Sequence, residues 1–139
     1  MTTLALAPLF AVLVLAAAAT AIWTQRRHQS RLVGTRYDAG EEIGVDILYF
    51  TGENCTICHV AQRPALERLA ATRGDIVVRE VDVAVEPELA RRFRVMTLPT
   101  TIVLDGDQRV VALNTGFAAE SRLADQVDSA RAGLQIAIA

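Results

Sequence analysis

The stretch VDILYFTGENCTICHV (45–60) joins a short apolar run to a pair of cysteines. Its first six residues, 45–50, are rich in β-formers and end at a Thr-Gly pair, which indicates a buried strand. From Cys55 onward, apolar residues recur at helical spacing, which predicts a helix with one apolar face. The predicted members of that face are Ile57, Val60, Ala61, Leu66, Leu69 and Ala70. The cysteines therefore stand between a strand and the first turn of a helix.

The rest of the chain continues the alternation of strands and helices. The predicted elements are a strand at 76–83, a helix at 86–93, strands at 100–104 and 109–115, and a helix at 120–130. The turn Asp105-Gly106-Asp107 joins the last two strands into a hairpin. Parallel strands joined by a helix need a right-handed crossover, and the hairpin adds an antiparallel edge. The order predicts an α/β domain, a mixed sheet with helices on both faces.

An uncharged segment precedes this domain. Residues 4–23 are almost entirely apolar, and in a helix they would extend roughly 30 Å, the thickness of a bilayer's hydrocarbon core. The sequence therefore predicts a transmembrane anchor at 1–24, a juxtamembrane linker at 25–44 and the α/β domain at 45–139. A cleaved secretory signal is the alternative, but its usual basic start is missing here and the run is longer than a signal core.

Charge gives an orientation and excludes one class of partner. Arg26, Arg27, Arg31 and Arg36 follow the apolar run, so the positive-inside tendency places the domain in the cytoplasm, with an extracytoplasmic domain as the alternative. The formal net charge is −2, and no basic stripe remains once these arginines are assigned to the membrane surface. The composition thus argues against a nucleic-acid partner.

The two cysteines suggest redox chemistry. They are the only ones in the chain, so no disulfide framework holds the domain together. At a helix start, unpaired N–H groups and the helix dipole stabilise a thiolate and lower the thiol pKa. Cys55 is therefore the predicted nucleophile, and Cys58 the thiol that resolves the mixed disulfide. Such a dithiol needs no other cofactor, and its predicted partners are protein disulfides or dithiols.

Other interpretations use the same residues. The letters CTICH (55–59) also form a c-type haem attachment motif, with Met96 as a candidate second axial ligand. That motif normally lies in a mostly helical domain, whereas here β-rich segments frame it. A zinc site would need more ligands than the two cysteines, His59 and His28 supply, so no metal is expected. An inert structural pair is the remaining alternative, and it gives no reason for the location at a helix start.

A second motif, Thr97-Leu98-Pro99-Thr100, completes a resemblance to the thioredoxin family over residues 45–139. The interval from Cys55 to Pro99 is similar to the family's spacing between its CxxC and its cis-proline. Pro87 and Gly116 also match family positions. The resemblance implies the thioredoxin-like fold, a cis Pro99 beside the cysteines, and a substrate segment bound along Thr97, Leu98 and Pro99 by strand addition.

The departures from the family pattern concern the active site. Asn54 replaces the usual Trp, and Thr-Ile replaces Gly-Pro between the cysteines. The family's buried Asp and its Lys neighbour fall at Tyr49 and Glu80, and the kink proline appears one residue late, as Pro64.

The resulting prediction is a single-pass, monomeric thiol-disulfide oxidoreductase. Asp82, Glu53 and His59 are candidates for proton transfer at Cys58. Because the family's acid-base pair is missing, a redox-inactive binding module is the alternative from a different functional class.

Overall fold

The computed structural model describes residues 3–30, 32–37 and 46–133, and the chain divides into two units, Met1–Arg31 and Leu32–Ala139. In the first unit a single helix, α1 (Thr3–Ser30), runs beyond the predicted end of the anchor at residue 24. The large apolar side chains described on α1, from Phe10 to Trp23, are each more than half exposed. Over the residues described, no helix combines the length and the apolar character that a bilayer span requires.

The second unit is built on a mixed four-stranded sheet. Its strands are β1 (Ile47–Thr51), β2 (Val78–Asp82), β3 (Thr100–Leu104) and β4 (Val110–Thr115). Its helices are α2 (Arg63–Arg73), which continues from a π-helical turn at Cys58–Gln62, then α3 (Pro87–Arg92) and α4 (Glu120–Arg131). The strand order is β2-β1-β3-β4, with β1 parallel to β2 and antiparallel to β3, and with β3 antiparallel to β4. The predicted order of elements and the hairpin are confirmed.

Alternation along β1 divides the core between the two faces of the sheet. Ile47 and Tyr49 point into a cluster with side chains of α2 and α4. Leu48 and Phe50 point into the opposite cluster, where Ala90 of α3 packs. Both faces are therefore buried, which is why β1 reads as a continuous apolar run rather than an alternating one.

Residues 32–37, which the sequence analysis assigns to the linker, pack on this domain. The Gly34 N–H donates to the Val110 carbonyl at 2.7 Å, and the Val110 N–H donates to the Thr35 carbonyl at 2.9 Å. Leu32 and Tyr37 are buried in the cluster that contains α3. The domain thus begins earlier than predicted, because two large side chains of an otherwise polar segment are buried in its core. Residues 38–45 lie outside the described part of the chain.

Candidate active site

The two cysteines lie just beyond the carboxyl end of β1. The Cys55 N–H donates to the Gly52 carbonyl at 3.0 Å, and this turn leads the chain into the helix. Cys55 and Cys58 form a disulfide, with their Cα atoms 5.2 Å apart. Cys58 is fully buried in the core, whereas Cys55 is half-buried. Cys55 is therefore the more accessible cysteine of the pair.

Backbone amide polarity is directed at the Cys55 sulfur. The Cys58 N–H points at the Cys55 Sγ, with the nitrogen 3.3 Å from the sulfur. The π-helical turn carries no acidic residue in its first turn, so no carboxylate there opposes a negative charge. An amide donor and the positive end of a helix both stabilise a thiolate, so the charge on Cys55 would be stabilised once the disulfide opens.

The π-helical turn explains the displaced proline. Within it the Arg63 N–H donates to the carbonyl of Cys58, five residues back, whereas in an α-helix it would donate to the carbonyl of His59, four residues back. Such a turn holds one more residue than an α-helical turn. It therefore accommodates the extra residue that puts Pro64 one position late, while α2 continues beyond it.

The buried face of this helix differs from the predicted one at its start. Ile57 and Val60 are 49% and 67% exposed, so the predicted apolar face is not the buried face at the start of the helix. The buried face runs instead through Cys58, Gln62, Ala65, Leu66 and Leu69. The error came from following apolar side chains, because a buried polar residue and a cysteine mark the face more accurately here.

Tyr49 occupies the position where the family has a buried Asp. Its side chain is 1% exposed, and its hydroxyl donates to the Cys58 carbonyl at 2.8 Å. Burial raises the pKa of Tyr49, so the hydroxyl remains protonated at neutral pH. Glu80, at the family's Lys position, forms a 2.5 Å ion pair with Arg63 at the surface. The family's acid-base pair is thus replaced by a neutral hydrogen-bond donor, Tyr49, and by a carboxylate, Glu80, whose charge is paired with an arginine.

The second motif packs against the turn that leads into Cys55. The Leu98–Pro99 peptide bond is cis, as the resemblance implies. The Gly116 N–H donates to the Pro99 carbonyl at 2.8 Å. A Cβ added at Gly52 would lie 3.1 Å from Leu98 Cδ1, so this turn packs closely against the segment that leads into Cys55.

A buried glutamine connects the cysteine helix to the loop beside Pro99. Gln62 is fully buried, and its side-chain amide donates to the Ala118 carbonyl at 3.1 Å and accepts from the Ala118 N–H at 2.8 Å. Because Gly116 already bonds to Pro99, this pair ties the helix to the cis-proline turn. Gln62 was not predicted from the sequence; the available signal was a polar residue four positions after Cys58, on the same helical face.

Two of the three candidates for proton transfer, His59 and Glu53, lie together, and the third, Asp82, lies at the end of another strand. The His59 ring Nε2 lies 3.1 Å from the Glu53 carbonyl, so these two exposed residues lie together at the entrance to the helix. Asp82 ends β2, and its carboxylate accepts from the Ala84 N–H at 2.8 Å. Among the described residues, no group of His, Cys, Asp and Glu is arranged to hold a metal ion.

Exposed apolar side chains flank the two motifs. Ile57 lies between the cysteines, Met96 precedes the cis-proline turn, and Phe117 follows Gly116; they are 49%, 87% and 53% exposed. These three exposed apolar side chains thus lie within or next to the cysteine and cis-proline motifs in the sequence. Phe117 was also missed from sequence, where only its position after Gly116 pointed to it.

The comparisons with known proteins agree with this geometry. The Thioredoxin family model matches residues 40–129. A thioredoxin of Staphylococcus aureus is 33% identical over 93 residues, which cover 66% of this chain and 88% of the relative. Among solved structures, thioredoxin-2 of a malaria parasite has a TM-score of 0.56 at 28% identity, covering 60% of this chain and 80% of its own. Thioredoxin 1 from Thermosipho africanus has a TM-score of 0.52 at 26% identity, covering 59% and 89%. The chain therefore belongs to the thioredoxin family and is a thiol-disulfide oxidoreductase.

Proposed function

We propose that this chain exchanges electrons with disulfides of other proteins, with Cys55 as the nucleophile and Cys58 as the resolving thiol. The observation that carries the assignment is the unequal environment of the two residues. Cys55 is half-buried and has the Cys58 N–H directed at its sulfur, whereas Cys58 is fully buried. A substrate can reach the first sulfur, and the second reacts only within the pair.

The proposed exchange has two steps. The Cys55 thiolate attacks one substrate sulfur, which forms a mixed disulfide and releases the other substrate sulfur as a thiolate. The Cys58 thiolate then attacks the Cys55 sulfur, so the internal disulfide forms and the first substrate sulfur departs with its electron pair. The substrate gains two electrons and the pair loses two; no bound cofactor is needed because the cysteines carry both.

The cis-proline turn is the proposed binding site for the substrate backbone. Leu98 packs against both core clusters, and the Thr100 hydroxyl donates to the Thr97 carbonyl at 2.7 Å. The turn is therefore held against the core, and Leu98 lies close to Gly52 in the segment that leads into Cys55. An extended substrate segment would pair with the backbone of Thr97, Leu98 and Pro99, in the manner of an added strand.

Trapping of partners tests the two roles. A Cys58→Ser variant should retain partners as mixed disulfides, because the step that releases them is missing. The matched Cys55→Ser variant should retain none, since its remaining thiol is buried. Non-reducing gels followed by identification of the attached proteins give the comparison. Equal trapping by both variants, or by neither, would refute the assignment.

We also propose that the chain acts as a monomer anchored through residues 4–23, with its domain in the cytoplasm. The support is the uncharged apolar run, the exposed apolar side chains of α1 and the arginines that follow.

The only two cysteines are those of the active site, so labelling them reports the compartment. A membrane-impermeant maleimide, added to intact cells after reduction, should label them only once the cells are permeabilised. Labelling in intact cells would place the domain outside, and recovery in the soluble fraction would contradict the anchor.

A further inference from the structure

The hydroxyl of Tyr49 is bonded to the backbone of the proposed resolving cysteine rather than to a sulfur. It donates to the Cys58 carbonyl at 2.8 Å and lies 3.4 Å from the Thr51 hydroxyl, in a buried environment. Tyr49 stands on the central strand β1, which is hydrogen-bonded on both sides, by β2 and β3. The donor is therefore attached to a rigid part of the domain.

The Cys58 carbonyl is also the group that closes the π-helical turn. A carbonyl oxygen has two lone pairs, and the Arg63 N–H and the Tyr49 hydroxyl both donate to this one. The same peptide segment carries the Cys58 side chain. Any shift of this carbonyl would thus move the sulfur relative to Cys55.

Tyr49 has no capacity to act as a base in this site. Burial raises its pKa, so its hydroxyl is a donor throughout the neutral range. What the residue supplies is geometry, since a sulfur that attacks within a pair depends on being held in line with its target.

We propose that Tyr49 is a positioning residue for the resolving step: by holding the Cys58 carbonyl, it keeps the Cys58 sulfur aligned with the mixed disulfide on Cys55. The inference rests on the proposed function. The Cys58 N–H directed at the Cys55 sulfur belongs to the Ile57–Cys58 peptide group, whereas Tyr49 holds the carbonyl of the Cys58–His59 peptide group, so attack by Cys55 does not use this contact. Loss of the hydroxyl should therefore slow the second exchange step and leave the first unchanged.

The experiment follows both steps with the reduced full chain and a large excess of the aromatic disulfide dithiobis(nitrobenzoate). Attack by Cys55 releases one coloured thiolate, and attack by Cys58 releases the other. Only the first step is bimolecular, so a high reagent concentration raises its rate above that of the second step. The two phases then separate in time. Tyr49→Phe removes only the hydroxyl. Tyr37→Phe is the matched control, because Tyr37 is also buried and its hydroxyl accepts from Arg79 at 2.8 Å in the opposite core cluster.

Tyr49→Phe should slow the second phase about fivefold, the equivalent of one net hydrogen bond of ~1 kcal/mol. Its first phase should match wild type, and Tyr37→Phe should match wild type in both phases. The second-phase rate should fall by the same factor at every pH, since positioning does not move the titration of Cys58. An unchanged second phase, equal slowing of both phases, or a displaced pH profile would overturn the proposal.

The proposed function has a separate control. Cys58→Ser should release one thiolate and stop, whereas Cys55→Ser should show neither fast phase. If those variants behave otherwise, the cysteine roles are wrong. If they behave as expected and Tyr49→Phe equals wild type, only the positioning role of Tyr49 fails.

Discussion

Gln62→Leu should destabilise the domain and loosen the loop beside the cis-proline. The substitution keeps the side-chain size but removes both hydrogen bonds to Ala118, which is 3% exposed. The N–H and carbonyl of Ala118 would then be buried without partners, at ~1–2 kcal/mol each. The expected loss is about 2–4 kcal/mol, out of the roughly 5–15 kcal/mol that holds a typical domain together, so the variant should still fold.

Urea unfolding of the purified oxidised chain, followed by circular dichroism, measures this loss. Gln126→Leu is the matched control, because Gln126 is also buried but bonds the side chain of Asn114 rather than the loop. Both variants should be destabilised, yet only Gln62→Leu should slow the reduction of a peptide disulfide, because the loop that Gln62 holds at Ala118 also carries Gly116, whose N–H donates to the Pro99 carbonyl. A loss below ~1 kcal/mol for Gln62→Leu would show that the Ala118 peptide groups find other partners.

Two further substitutions test the packing and the charges. Gly52→Ala places a methyl 3.1 Å from a methyl carbon of Leu98, so it should lower the free energy of unfolding in urea by about 1–2 kcal/mol and slow the reduction of a peptide disulfide. Gly106→Ala is the control, because an added methyl there has nothing within 4 Å, and this variant should match wild type. Equal effects of the two substitutions would refute the contact. Two hydrogen bonds from Arg73 lower the pKa of Asp128, so the stability they add is present above the ordinary carboxyl pKa and is lost as the pH falls through the lowered one. Asp128→Asn should therefore be less stable than wild type at neutral pH and converge with it in acid, unlike the charge-matched Asp107→Asn, and a difference that persists in acid would contradict this reasoning.

The strands β1, β3 and β4 were predictable because they are buried on both faces. An apolar run of β-formers, as in 45–50 or 100–104, indicates a strand without reference to the rest of the chain. The position of Cys55 and Cys58 at a helix start followed from the same pattern. The cis bond at Pro99 came from family resemblance, since local sequence favours the trans form even before proline.

Features that depend on tertiary contacts could not be predicted in this way. The π-helical turn at Cys58–Gln62 is not visible in the hydrophobic period, because less than one helical turn precedes it and the change of phase has no earlier turns to be compared with. Tyr37 lies in a short polar segment whose burial depends on contacts with Phe93 and Arg79, far along the chain. Periodicity describes one element at a time, so partners from distant elements are invisible to it.

The replacement of the family's buried acid also changes what the resolving cysteine needs. With Tyr49 protonated and the Glu80 carboxylate paired with Arg63 at the surface, neither position presents a buried base to Cys58. The proton of that thiol must then leave by another route. What this site has instead is geometric: a π-helical turn and a tyrosyl hydroxyl that together hold the Cys58 carbonyl. Proton transfer and alignment of the reacting atoms both lower the barrier to the resolving step. A site without the proton acceptor can therefore recover part of that rate by holding the sulfur in place. The resolving rate of this chain should therefore depend more on the Tyr49 hydroxyl than on any carboxylate near Cys58.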